Sequence, residues 1–416
     1  MNKKKTIICL VLSFLFTLII SLLIVYKFLY PTVVPMIKNE SINLFGDWSA
    51  VTSAIKCFNT GFYDVYLENP CDKWGRKFVY GKILLYLPLL ENNKYIYPVI
   101  IPLLFNFAFI FTITSFFNYE KKSDYLFITF ILLSFPILLA IERANIDIFI
   151  FLLFFLLSIS NNFLINHFIV LFAALIKFYP ITSISIFLFN QKISKSIINI
   201  LFSLLIIFLL LFLQKDEIIK ILENKNQFTS HGIYNFSFQY FFSLIYKIQL
   251  SAQNMNLNFV KYTFVILFLA ILTVKNYRRF KNSLIRNYYK NFSITNYQDK
   301  LFILCSTVLI FCYFLFDNYA YREIFFVGLI PFLLKQIENG IDKKYFNFFL
   351  NFILIKLIIS TFLTIFVKEK IFYDFYLFYL LLKYFLDFIL VTMVSLNLIV
   401  IFYSFYNKKI LKKNNY

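Results

Sequence analysis

Charged side chains are scarce in this chain, so the places where they gather carry information. Asp47 stands between Gly46 and Trp48. A carboxylate within hydrogen-bond reach of a hydroxyl can take its proton while the oxygen attacks an electrophilic carbon, which is the work of a general base. An Asp at the start of a helix is also a favoured cap, and a helix beginning near Trp48 leaves that plainer role open. Three short stretches, which together carry charges of both signs, lie at the ends of apolar runs. They are Glu142-Arg143-Ala144-Asn145-Ile146-Asp147, Lys177-Phe178-Tyr179-Pro180 and Asp317-Asn318-Tyr319-Ala320-Tyr321-Arg322-Glu323. Arginine binds an oxyanion through a planar fork and lysine through a point charge. Arg143, Lys177 and Arg322 are therefore candidates to hold a phosphate, with Tyr179 beside Lys177 and His231 as a further contact. Glu142, Asn145, Asp147, Asp64 and Glu323 are secondary candidates, and Asp72 shares a loop with Asp64. Each cation also has an ordinary role. Arg143 has Glu142 and Asp147 to pair with, Arg322 has Glu323, Lys177 can snorkel, and His231 can be a solvated loop histidine.

The elements that position these groups are set by composition. Of 416 residues, 61% are hydrophobic and 15% charged, against about 45–50% and about 25% in soluble domains. That excludes an ordinary soluble enzyme, and it excludes disorder, which needs low hydrophobicity. A spanning helix takes roughly 20 apolar residues, so the chain reads as an all-α bundle of about twelve spans, within a range of about 10–13. The runs lie near 6–29, 97–117, 124–141, 146–159, 163–176, 180–190, 196–213, 259–274, 301–316, 324–335, 346–367 and 377–405. They form one integral membrane domain over 1–416. Basic residues are densest in the segments that fall inside when both termini are cytoplasmic, above all in loop 275–300 with Arg278, Arg279, Lys281 and Arg286. The net charge of +20 is thus assigned to cytoplasmic loops and not to nucleic-acid binding.

Two segments, 30–96 and 214–258, are too long for simple connectors and fall on the outer face. The first holds Gly46, Gly61, Gly75 and Gly81 and both tryptophans, Trp48 and Trp74, which points to a small ordered surface unit. The aromatic stretch 236–242 reads as an amphipathic helix in the membrane interface. His167 sits in a lipid-facing apolar run and is structural. Lys383 and Asp387, four apart in a late span, can face each other and pair, whereas Lys356 has no assigned role.

At these residues the chain resembles the GT-C class of polytopic glycosyltransferases, in its mannosyltransferase-like branch. The likeness covers roughly residues 1–335. It rests on Gly46-Asp47-Trp48, Gly61-Phe62-Tyr63-Asp64-Val65-Tyr66, Val79-Tyr80-Gly81, Leu87-Pro88, Arg143-Ala144-Asn145-Ile146-Asp147 and Lys177-Phe178-Tyr179-Pro180. Val65 stands where that branch commonly has proline. The resemblance implies Asp47 as the base, a polyprenyl-phosphate sugar as donor, and a glycan or glycolipid as acceptor. It implies inversion at the anomeric carbon and work on the outer face of the cytoplasmic membrane. No cofactor is expected, and no acidic cluster demands a divalent metal. Two alternatives stand beside it: a cell-envelope polysaccharide polymerase or ligase, and a transporter or flippase.

Cys57 and Cys71 are the cysteines of the first outer segment, while Cys9, Cys305 and Cys312 lie in apolar runs as small hydrophobes. The outer compartment lets disulfides persist. Closing a loop of about 15 residues removes roughly 3 kcal/mol of unfolded-state entropy in the chain-entropy model. A Cys57–Cys71 disulfide is therefore expected, against the alternative of two free thiols.

Overall fold

Backbone groups in lipid must bond within their own segment, which leaves helices as the outcome for these apolar runs. The computed structural model describes residues 3–25, 45–87, 96–189, 193–223, 235–238, 240–241, 296–315, 318–340, 342–368 and 373–413. Among them every regular element is helical. In chain order these are α1 (Lys3–Val25), α2 (Gly46–Asn59), α3 (Ile101–Ser115), α4 (Lys122–Leu132), α5 (Phe135–Arg143), α6 (Ile146–Ile159) and α7 (Phe163–Ile176). After them come α8 (Ile193–Leu213), α9 (Lys215–Glu223), α10 (Tyr297–Leu315), α11 (Ile330–Glu338), α12 (Lys343–Lys368) and α13 (Tyr373–Lys413). Two long 3-10 helices, Tyr179–Phe189 and Ala320–Leu329, complete the bundle.

Six described helices are long and apolar enough to cross a membrane: α1, α3, α8, α10, α12 and α13. A seventh forms if α4 and α5, bent by 56°, are one broken span. The break has a cause. Pro136 lies in the first turn of α5 and supplies no amide to continue α4. The amide of Phe135 donates instead to Thr361 Oγ1 of α12 at 2.9 Å. The runs expected at 146–159, 163–176 and 180–190 are helices shorter than a usual span. The run expected at 324–335 is divided between a 3-10 helix and α11. The run at 259–274 and most of loop 275–300 lie outside the described residues.

The 3-10 form matters for reach. It rises about 2.0 Å per residue against about 1.5 Å in an α-helix, so eleven residues extend about 22 Å instead of about 16 Å. Two glycines bring such segments into close contact. A Cβ on Gly328 would lie 2.3 Å from Cys305 Sγ, so the 3-10 helix Ala320–Leu329 packs on α10 only as glycine permits. A Cβ on Gly81 would lie 1.6 Å from the Leu175 carbonyl oxygen. The Gly81 amide instead donates to the Ile176 carbonyl at 2.9 Å, docking the first loop on the end of α7.

Polar contacts gather at three places, two of them at helix ends. In one, Lys5 Nζ donates to Asn118 at 3.1 Å and Asn118 donates to Glu338 at 3.2 Å. Lys335 pairs with Asp299 at 2.7 Å, and Lys300 reaches the Ser160 carbonyl and Asn161 at 2.8 Å each. The other gathers Asp47, Arg143, Asn145, Asp147, Lys177 and Arg322.

A third polar group is fully buried. Lys383 pairs with Asp387 at 3.0 Å as the four-residue spacing suggests, but the pair is half of a quartet. Lys356 contacts Asp387 at 3.0 Å and also Glu323, and Lys383 reaches Glu323 at 3.2 Å. Lys356 thereby gains a role as the second cation. Glu323, expected beside Arg322 in an outer cleft, belongs instead to this quartet. Lys383 also donates to the Asn235 carbonyl at 2.7 Å. Phe236 is fully buried against Tyr313 and Phe326, at 5.2 and 5.9 Å between ring centroids, so it lies in the bundle and not in an interfacial helix. His167 is likewise buried, its ring 4.1 Å from Phe163 and 4.2 Å from Phe187, and is not lipid-facing.

Removing one member of a buried ionic group leaves an uncompensated charge, typically at about 3–5 kcal/mol. Lys356→Met should therefore lower the unfolding temperature in detergent sharply. Adding Glu323→Gln should recover most of the loss, because the quartet returns to neutrality. Equal stability of the Lys356→Met protein and the wild type would contradict the account.

Candidate functional site

The site is assembled from three turns and the first residues of α2. Phe45 adopts a left-handed conformation with φ 60°, and α2 begins at Gly46. Asp47 is thus the second residue of that helix, and Phe45, not Asp47, is its cap. The carboxylate turns to other elements. Arg143 Nε donates to Asp47 Oδ1 at 2.8 Å and Arg143 Nη2 lies 2.7 Å from the same oxygen. Asn145 Nδ2 donates to Asp47 Oδ2 at 2.5 Å.

A left-handed residue, Ala144 with φ 45°, closes α5 and turns the chain into α6. Asn145 then does two jobs. Its Oδ1 accepts from the Asp147 amide at 2.9 Å as the cap of α6, while its amide group holds Asp47. One turn therefore places Arg143 and Asn145 side by side and sends Asp147 into the bundle.

Asp147 is fully buried and collects the remaining cations. Lys177 Nζ donates to its Oδ1, Tyr179 donates its hydroxyl to the same oxygen at 2.7 Å, and Arg322 Nε lies 3.6 Å from Oδ2. Aromatic rings wall the group. Lys177 Nζ is 5.2 Å from the Tyr80 ring centroid and 5.9 Å from that of Tyr321. The Arg322 guanidinium lies 4.8 Å over Tyr179. Tyr319 stacks on Tyr321 at 5.3 Å, and the pair is fixed by the Asn235–Tyr319 backbone bridge.

Exposure grades across the group. The side chains of Arg143 and Arg322 retain 26% and 19% of their accessible surface, Asp47 and Lys177 keep 13% and 10%, and Asp147 keeps none. An anion arriving from solvent meets the two arginines first. Burial pushes the Asp47 carboxyl up. The charge of Arg143 and the hydrogen bonds from Arg143 and Asn145 outweigh it and hold the group below the usual carboxylate range. Burial lowers the Lys177 ammonium and Arg322 lowers it further, against the pull of Asp147, so it stays below the usual lysine range.

Other expected residues fall elsewhere. Asp64 pairs with Lys220 of α9 at 3.0 Å and has no bond to the Asp47 cluster. Asp72 is engaged by Arg76, at 2.8 Å to Oδ1 and 3.0 Å to Oδ2. Burial raises the Asp72 carboxyl, but those hydrogen bonds bring it below its ordinary value. Glu142 is buried next to Arg143 and adds to its electrostatic surroundings. His231 lies outside the described residues. Cys57 and Cys71 are disulfide-bonded, with Cα atoms 5.7 Å apart. No three His, Cys, Asp or Glu side chains converge as metal ligands among the described residues.

Sequence reasoning missed Arg76. Its guanidinium stacks 4.3 Å over Trp74, donates to the Gly46 carbonyl at 2.6 Å, and reaches Ser49 Oγ at 3.1 Å. It braces the start of α2 on which Asp47 rides. The one available signal was its spacing of four from Asp72. Tyr80 and Tyr321 were visible only as members of motifs, and nothing in their spacing marks them as walls of one site. Comparison with protein-family models, with curated proteins and with solved structures finds no match.

The Asp47 pairing should show in a pH series. Its folded-state pKa lies below the unfolded value of about 3.9, so its contribution is present above that value and is lost as pH falls through the folded one. Asp47→Asn should cost on the order of 1.5–3 kcal/mol at pH 7, the range for hydrogen bonds to a charged group. Melting curves in detergent should show the gap from wild type shrinking as pH falls below about 4. A gap that stays constant would contradict the assignment.

Proposed function

We propose that this chain is an inverting membrane glycosyltransferase of the GT-C type. It moves a sugar from a polyprenyl-phosphate donor to a glycan or glycolipid acceptor on the outer face of the cytoplasmic membrane. The observation that carries the reading is the cluster itself. One carboxylate, Asp47, is held by Arg143 and lies with two further cations among aromatic rings, and the two arginines are its most open members.

Each feature suits the reaction. The lipid tail of such a donor belongs among apolar helices, and its phosphate belongs where their polar ends meet water. Arg143, Lys177 and Arg322 supply the positive charge that a departing phosphate needs. The acceptor hydroxyl attacks the anomeric carbon on the face opposite the phosphate. The carbon–oxygen bond to phosphate breaks, its electron pair leaves on polyprenyl phosphate, and the hydroxyl proton passes to Asp47. In the resting site Asp47 is a weak base because Arg143 lowers its proton affinity. A donor phosphate that draws Arg143 toward itself removes that charge and strengthens the base when it is needed.

Sidedness follows the same pattern. The polar contacts of Lys5, Lys300 and Lys335 lie among segments rich in lysine, which suits a cytoplasmic face with both termini on it. Counting the shorter helices and the 3-10 segments as passages between the two groups of polar contacts, together with the apolar run 259–274 read from the sequence, gives the proposed twelve crossings. A transporter reading would draw on the Glu323–Lys356–Lys383–Asp387 quartet. Its closed, mutually paired burial favours a structural part instead.

Proteoliposomes holding the full chain test the proposal. With polyprenyl-phosphate mannose or glucose and a crude envelope glycolipid acceptor, release of polyprenyl phosphate should track sugar transfer. Asp47→Asn should slow both by at least about 100-fold, the low end for loss of a positioned base. Undiminished transfer by that variant would remove Asp47 from the chemistry. Translocation of sugar with no glycosidic bond formed would replace the proposal with transport.

A further inference from the structure

A second site lies where the first loop meets α9. A cleft of about 220 Å³ opens between Phe58, Tyr63 and Tyr86 on the loop side and Asp216, Glu217 and Lys220 on α9. Phe58 stands edge-on to both tyrosines, at 5.4 Å from Tyr63 and 5.5 Å from Tyr86, so three rings form an aromatic corner. Tyr63 and Tyr86 keep 70% and 63% of their surface open, an unusual degree of exposure for rings that have a neighbour to pack on. Around them sit charged groups joined in ion pairs, Lys82–Glu217 at 2.8 Å and Lys220–Asp64 at 3.0 Å. Such exposed pairs contribute little and exchange readily for another partner.

We infer that this cleft binds one pyranose ring of the acceptor glycan. This rests on the transferase reading for the word acceptor, but the chemistry of the cleft stands without it. A sugar ring presents a face of C–H bonds and an edge of hydroxyls. The face suits exposed aromatic rings, and the edge suits carboxylates that accept and an ammonium that donates. The volume lies below the roughly 300 Å³ at which pockets for drug-sized molecules begin, which matches a single ring and not a lipid tail. The four charged side chains around it also make it a poor seat for an acyl chain.

The cleft is mechanically joined to the first site. An aromatic series leads from the cleft to the Asp47 cluster. Tyr66, which lines the cleft, packs on Phe78 at 5.4 Å, Phe78 packs on Tyr80 at 5.7 Å, and Lys177 lies 5.2 Å from Tyr80. These three rings are buried, so the series ties the cleft to the Asp47 cluster through packed side chains. The Cys57–Cys71 disulfide closes the loop that carries Phe58, Tyr63 and Tyr66, and the Phe62 amide donates to the Cys57 carbonyl at 3.0 Å, fixing the aromatic corner.

The test uses the full chain in lipid nanodiscs and saturation-transfer NMR. The probes are methyl α-mannoside, methyl β-glucoside and N-acetylglucosamine, together with mannobiose, cellobiose and chitobiose. At least one should bind saturably, about tenfold more weakly in Tyr63→Ala and in Tyr86→Ala and unchanged in Asp47→Asn. Both tyrosines are exposed, so their loss should leave the fold intact, as melting curves will show. Absence of binding by all six sugars, or binding unaltered in the Tyr63→Ala/Tyr86→Ala double variant, would overturn the inference. The two readings fail separately. Transfer with an unchanged acceptor KM in the double variant sinks the cleft and leaves the transferase. Cleft-dependent binding on a chain that transfers no sugar upholds the cleft and sinks the transferase.

Discussion

A carboxylate that leaves water for an apolar bundle must meet a cation, and the tertiary structure of this chain depends on how that demand is met. Asp47 takes Arg143, Asp147 takes Lys177 and Arg322, and Asp299 takes Lys335. Glu323 and Asp387 share Lys356 and Lys383. Nearly every pair joins elements distant in sequence. Hydrophobic burial offers little preference among the ways apolar helices can pack in a lipid environment. Charge pairing does discriminate, because a slipped helix strands an ion at a cost of several kcal/mol.

The same demand shapes the site. Asn145 is its hinge: one face of the side chain caps α6 and the other holds Asp47. A helix start and a carboxylate orientation are thereby fixed by one residue. Arg76 secures the other side by binding the backbone at Gly46. The quartet acts from behind, since Glu323 adjoins Arg322 and anchors the 3-10 helix that delivers it. Held in this way, Arg143 is bound to one carboxylate and keeps the most open side chain of the cluster. Under the proposed function a donor phosphate would compete with Asp47 for it, giving a weak base at rest and a stronger one when loaded.

Much of this was legible in the sequence, and the failures have physical causes. Apolar runs bounded by charge marked α1, α3, α8, α10, α12 and α13, because length and hydropathy suffice to identify such helices. The turns bearing Arg143, Asn145, Asp147, Lys177, Tyr179 and Arg322 were visible as charge at helix ends, and the structure does bring them to Asp47. Adjacency misled at Glu323. Consecutive residues of a 3-10 helix point about 120° apart, so Arg322 faces Asp147 while its neighbour faces Lys356. Asp64 shares a loop with Asp47, yet its partner is Lys220 on α9. No periodicity encodes a contact of that separation. Arg76 was overlooked because its contacts to Gly46 and Ser49 lie 30 and 27 residues away, a separation that leaves no pattern in a sequence.

The central claim is that Asp47 and a lipid phosphate compete for Arg143. Equilibrium binding of sugar-free polyprenyl phosphate to the full chain in nanodiscs tests it most directly, with two variants read against wild type. Arg143→Gln should bind at least about tenfold more weakly, while Asp47→Asn, which removes the competitor, should bind about tenfold more tightly, a difference of about 1.4 kcal/mol each way. Weaker or unchanged binding by Asp47→Asn, or binding indifferent to Arg143→Gln, would contradict the account.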